Sequence, residues 1–94
     1  EEQYEAVTKM LTAVGVTHVC FGNHESDVPY LSLKRRIEEF NGVWLNSNMP
    51  KFRPALPLWD IVDVPLAGLR AGILGLLTSE KGVFRKDTFR GLPI

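Results

Sequence analysis

Cysteine is nearly missing from this chain. Cys20 is the single one in 94 residues, so no disulfide can close within the sequence. Its apolar neighbours Val19 and Phe21 predict a buried, inert thiol and a reducing compartment such as the cytoplasm. Histidine is scarce as well, at two residues, too few for a metal centre built on several imidazoles. Net charge is absent: eleven basic residues balance eleven acidic ones, which removes the electrostatic case for a nucleic-acid polymer or an acidic membrane as partner. No apolar run is long enough to span a bilayer, and the acidic opening of Glu1, Glu2 and Glu5 is unlike a signal or transit peptide. The first residue is not methionine and the chain stops at Pro93-Ile94. A piece of a longer protein is therefore expected, one domain at most and marginally stable alone.

What is present is ordinary for a soluble globular protein, with 45% hydrophobic and 23% charged residues, and the apolar ones fall in interpretable periods. Val7, Met10, Leu11 and Val14 recur at helical spacing and predict one core-facing stripe, with Gly15 closing the helix. The run Val16 to Phe21 has no turn residue and predicts a short buried parallel strand. Pro29 opens a second helix with Tyr30, Leu33, Ile37 and Phe40 on one face. Lys34, Arg35, Arg36, Glu38 and Glu39 form its solvated side, and Asn41-Gly42 ends it. Val43-Trp44-Leu45 is a second strand, so the first half alternates as a parallel α/β layer. Residues 46–57 form a loop rich in Asn and Pro. Leu58 to Val64 and Leu69 to Leu77 then form a β-hairpin around Pro65-Leu66-Ala67-Gly68. Gly72 and Gly75 predict close backbone approach. Trp44 and Trp59 are expected at core edges, and Thr78 to Ile94, with Lys81, Arg85, Lys86 and Arg90, as a basic surface tail.

The chemistry concentrates in Gly22-Asn23-His24-Glu25-Ser26-Asp27, between the first strand and the second helix. In α/β sheets ligands bind beyond the carboxyl ends of the strands, where this loop leaves. Gly22 permits a tight turn, Asn23 offers a neutral oxygen donor suited to a divalent metal, and His24 can donate a proton or a hydrogen bond. Asp27 stands three residues after His24 and can hold the imidazole in one tautomer. Asn, Ser and Asp ahead of a helix also serve as caps, and on side-chain chemistry alone that role outweighs catalysis. Asn46 and Asn48 at the second strand's end are candidates for a substrate pocket, with loop-stabilising turns the commoner use of such residues.

The block Gly22-Asn23-His24-Glu25 followed by Asp27 resembles the Gly-Asn-His-Glu/Asp block of the calcineurin-like metallophosphoesterases, and most closely that of their 5′-nucleotidase branch. Leu11 to Gly15 ahead of the strand, Leu45-Asn46-Ser47-Asn48 at the next strand end, and Gly72 to Thr78 resemble further segments of that branch, in the same order. The resemblance implies a partial α/β/β/α sandwich, with residues 1–94 a fragment of one domain. Residues 1–48 would be the α/β part with the Asn-His block, and 49–94 the loop, hairpin and basic tail. It implies a hydrolase acting on phosphate esters with two divalent metal ions (Mn, Zn, Fe or Mg). The substrate would be a small phosphorylated molecule, nucleotides included. By the same resemblance Asn23 is a metal ligand, His24 contacts the phosphoryl group, Asp27 orients His24, Gly22 makes the turn and Glu25 is a local anchor.

Ser26 departs from the Phe of that branch. The family's Asp-x-His, Gly-Asp and Gly-His-x-His blocks do not occur in this sequence. A single neutral Asn cannot hold a divalent ion without carboxylate or imidazole partners. The 94-residue chain is thus expected to be inactive by itself, with activity belonging to a longer parent. The alternative is a non-catalytic α/β domain that keeps the scaffold and binds a partner without turnover.

Overall fold

A computed structural model of the chain describes residues 2–22, 25, 29–80, 83 and 88–94. Helix α1 spans Glu2–Ala13 and ends on Gly15, whose φ of +88° lies in the left-handed region that side chains disfavour. The Gly15 N–H donates to Thr12 O at 3.1 Å and the Val16 N–H to Leu11 O at 3.0 Å. That crossed pair satisfies the last carbonyls of the helix. The chain then enters β1 (His18–Cys20), helix α2 (Tyr30–Glu39) and β2 (Val43–Leu45). Strands β1 and β2 pair in parallel, with His18 opposite Val43 and Cys20 opposite Leu45. The second half supplies β3 (Trp59–Val64) and β4 (Leu69–Leu74), antiparallel across a single 3₁₀ turn at Pro65–Ala67. The architecture is mixed α/β: a two-stranded parallel sheet and an antiparallel hairpin.

The core lies between α2, the parallel pair and the 46–57 loop. Phe21, Leu33, Ile37, Met49, Phe52, Leu77 and Phe89 form one buried cluster. Phe21 sits at its centre, its ring 4.8 Å from Phe52, 5.3 Å from Phe89 and 5.5 Å from Trp44. Tilted and edge-on rings at these distances add to the area they bury. The expected α2 face is in place: Leu33, Ile37 and Phe40 are buried and Tyr30 packs against the cluster.

Three residues join the two sheets. Asn46 N–H donates to Pro57 O, Ser47 N–H to Gly75 O, and Gly75 N–H to Ser47 Oγ at 2.9, 2.9 and 3.0 Å. The Asn48 side chain pairs with Leu77 as a second backbone would, accepting its N–H at 2.9 Å and donating to its carbonyl at 2.7 Å. The 75–77 segment therefore leaves β4 and runs beside residues 46–48. Gly75 makes this possible, because a Cβ there would stand 2.6 Å from Cys20 Cβ and 2.8 Å from Leu45 Cβ. The close approach expected at Gly75 is real. At Gly72 it is not, since a Cβ would meet nothing within 4 Å.

Several burial expectations are corrected. The α1 stripe is covered only in part, with Val7, Met10 and Val14 exposed, Leu11 half-buried and Thr8 buried. Helical period marks the side that can be buried, and how much of it is covered depends on what packs there. Trp59 is exposed on the hairpin, whereas Trp44 packs on the core edge as expected. Cys20 is exposed rather than buried. Arg36, placed by its charge on the solvated side, is buried and bonds Glu39 Oε1 through Nη2 at 2.9 Å. The tail is not all surface: Phe89 is buried, and Leu92 and Ile94 pack against the core. Pro29 occupies the cap just before α2 rather than its first turn. Strand β4 ends at Leu74, three residues short of the expected Leu77.

Candidate functional site

The loop between β1 and α2 occupies residues 21–29. It leaves the carboxyl end of a strand paired in parallel, the position at which α/β folds gather ligands. Both of its ends are fixed. Phe21 is buried in the aromatic cluster, and Pro29 caps α2, whose Leu33 N–H donates to the Pro29 carbonyl at 3.0 Å. Inside the loop, the Gly22 N–H donates to Glu25 Oε2 at 2.6 Å. A backbone donor on a carboxylate at that distance is a charge-assisted bond, stronger than a neutral one. Glu25 thus takes the anchoring position. The Gly22 backbone is not left-handed, and a Cβ there would come within 3.1 Å of the same oxygen, so a larger residue would press on the Glu25 carboxylate that anchors the turn. Asn23, His24 and Asp27 lie outside the described residues.

Glu25 also borders a cleft of about 240 Å³ that runs between α1, α2 and the parallel pair. Leu11, Leu33, Phe40 and Trp44 line it, with Arg36 at its base. Asn46 and Asn48 have their amides engaged with backbone. Asn46 accepts the Met49 N–H at 3.0 Å and donates to the Met49 carbonyl at 2.8 Å, while Asn48 clasps Leu77. Both hold the loop that follows β2.

The amino end of β1 carries a cluster that sequence inspection missed. His18 Nε2 lies 2.7 Å from Asp60 Oδ2, and His18 Nδ1 lies 2.8 Å from Thr17 Oγ1. A neutral imidazole protonated at Nε2 satisfies both contacts, donating to Asp60 and accepting from the Thr17 hydroxyl. The cluster ties β1 to β3 at the end of the strand opposite the loop. The only signal in the sequence was a polar side chain inside each of two apolar runs, because the partners are 42 positions apart.

The His18 hydrogen bond, followed by one from the Ile61 backbone, holds the Asp60 carboxyl below the ordinary aspartate range. A carboxyl lowered on folding contributes stability above its unfolded pKa and loses it as pH falls through the folded one. The contribution is thus complete at neutral pH and decays below about pH 4. Asp60→Asn is expected to flatten the acid limb of a stability–pH curve followed by circular dichroism. An unchanged acid limb would rule the contact out as a contributor.

Among the described residues no three His, Cys, Asp or Glu side chains come together as a metal-holding group. Asn23, a neutral amide, is the one metal donor the resemblance assigns to this chain, so the residues present do not by themselves fit a two-metal centre. No protein-family model matches the chain, and no curated protein matches it.

Proposed function

We propose that this chain supplies the Gly-Asn-His-Glu-x-Asp block of a metal-dependent phosphoesterase, with the other metal donors contributed from beyond the 94 residues. The layered α/β/β/α sandwich belongs to the same proposal, as the parallel pair and the hairpin would each need further strands and helices to cover their open faces. The observation that carries the reading is the block's position, at the carboxyl end of β1 in a parallel β1–α2–β2 unit and anchored by Glu25 on Gly22. In sequence, Asn23, His24 and Asp27 stand between the fixed residues Gly22 and Pro29.

In this reading His24 donates a hydrogen bond or a proton to the phosphoryl group or the departing oxygen, and Asp27 holds the imidazole in the donating tautomer. Bound divalent metals would supply the activated water and neutralise the phosphate. The substrate class is a small phosphate ester, nucleotides included.

The test is turnover of a chromogenic phosphate ester and of a nucleoside monophosphate by the full-length protein with Mn²⁺ present. His24→Ala is expected to lower kcat by roughly a hundredfold or more, the usual scale of a lost general acid. Asn23→Ala should raise the Mn²⁺ concentration needed for half-maximal rate, and the 94-residue chain alone should show no turnover. Full activity in both variants would sink the assignment, and no metal-dependent turnover by the full-length protein would favour a non-catalytic binding domain.

A further inference from the structure

Helix α2 passes to β2 through Phe40, Asn41 and Gly42, and the last two form a reactive pair. Both are exposed. Among the described residues, neither the Asn41 side-chain amide nor the Gly42 N–H has a hydrogen-bond partner. Asn46 and Asn48 differ on this point, since each holds its amide on backbone groups at both ends. Gly42 carries no side chain to block the approach of its nitrogen to the Asn41 side-chain carbonyl.

The geometry points to Asn41–Gly42 as a self-modification site, where the chain deamidates through a cyclic imide and loosens the β1–β2 pair. A base removes the Gly42 amide proton, and the nitrogen attacks Asn41 Cγ, forming the bond that closes a five-membered ring. The bond from Cγ to the side-chain nitrogen breaks, and that nitrogen leaves as ammonia after taking up a proton. Water then adds to either ring carbonyl and breaks one of the two ring C–N bonds. The product is aspartate or isoaspartate, with one water consumed, one ammonia released and no change of oxidation state.

Position gives this chemistry a structural consequence. Isoaspartate lengthens the main chain by one carbon immediately before Gly42, one residue ahead of Val43, whose N–H donates to Thr17 O at 2.8 Å and which pairs with His18. A Cβ on Gly42 would stand 2.3 Å from that carbonyl oxygen, so a chain lengthened at this point displaces the backbone that carries the bond. The new carboxylate also stands just past the carboxyl end of α2, beside Glu38 and Glu39, where the helix dipole disfavours negative charge. Strand β1 delivers the Gly22–Glu25 loop, so conversion acts as a slow, one-way clock on that loop.

The purified chain, incubated at mildly alkaline pH, reads this out by peptide mass at each asparagine together with an isoaspartyl methyl-acceptor assay. Asn41 is expected to convert several-fold faster than Asn46 and Asn48. The acidic fraction, separated by anion exchange, should unfold at lower denaturant than the parent. Asn41→Gln should remove most of the acid gain while unfolding as the unmodified chain does. Conversion at Asn41 no faster than at Asn48, or an acidic fraction of unchanged stability, would overturn the proposal.

Discussion

Phe21→Ala is expected to leave the chain largely unfolded at room temperature. Phe21 is 4% exposed, and its ring is the common neighbour of Phe52, Phe89 and Trp44. Truncating such a phenylalanine costs about 3–5 kcal/mol, from lost transfer energy plus a cavity that close packing cannot fill. A small domain holds only about 5–15 kcal/mol in total, and one this short falls at the low end. Three segments distant in sequence meet on this ring: β1's exit, the 46–57 loop and the tail at Phe89. No single segment can collapse to fill the gap. The measurement is urea unfolding followed by near-ultraviolet circular dichroism, with Leu66→Ala as the comparison. Leu66 is fully exposed on the hairpin turn, and its truncation should move the midpoint by no more than about 0.5 kcal/mol. Equal midpoints for the two variants would mean that the aromatic cluster is not the core.

A methyl group added at Gly42 should have the second largest effect. In Gly42→Ala the new Cβ would lie 2.3 Å from the Thr17 carbonyl oxygen and 2.8 Å from the edge of the Phe40 ring. Neither neighbour can easily retreat. Thr17 O accepts the Val43 N–H at 2.8 Å, the bond that sets the parallel register, and Phe40 is buried. Overpacking typically costs about 1–3 kcal/mol, and displacing the carbonyl would add about 0.5–1.5 kcal/mol for the ladder bond. Gly72→Ala is the control, since its Cβ would enter open space; it should be neutral or slightly stabilising, through a less flexible unfolded chain. Hydrogen exchange at the Val43 amide separates the cases. Accelerated exchange is expected in Gly42→Ala and not in Gly72→Ala, and the same rate in both would refute the close-approach account.

Gly42 also illustrates how far local reasoning reaches. Asn41-Gly42 was legible as the end of α2, but the glycine does not end the helix by turning left-handed, as Gly15 does. It is required by the strand that returns beside it, a fact about Thr17 and not about neighbouring residues. Gly75 is similar: the sequence announced a close approach, and the structure identifies the neighbours as Cys20 and Leu45. The candidate site divides in the same way. The composition of the loop and its place after a strand are near-neighbour properties and were readable, while the anchoring role of Glu25 came only from the family resemblance. The His18–Asp60 contact and the burial of Phe89 were not readable, because each depends on segments remote in the chain meeting in space.

By itself, then, the sequence determined the order of helices and strands, the helix stop at Gly15, the apolar face of α2 and the location of the Asn-His block. These follow from backbone preferences and short-range periodicity, which act over a few residues. Tertiary structure alone decided which apolar surfaces are covered. It left most of the α1 stripe and the outer hairpin open, sank Arg36 and Phe89, and set Ser47 and Asn48 as the seam between the two sheets. Burial belongs to pairs of surfaces, so no segment read alone can reveal whether the surface that would cover it is there.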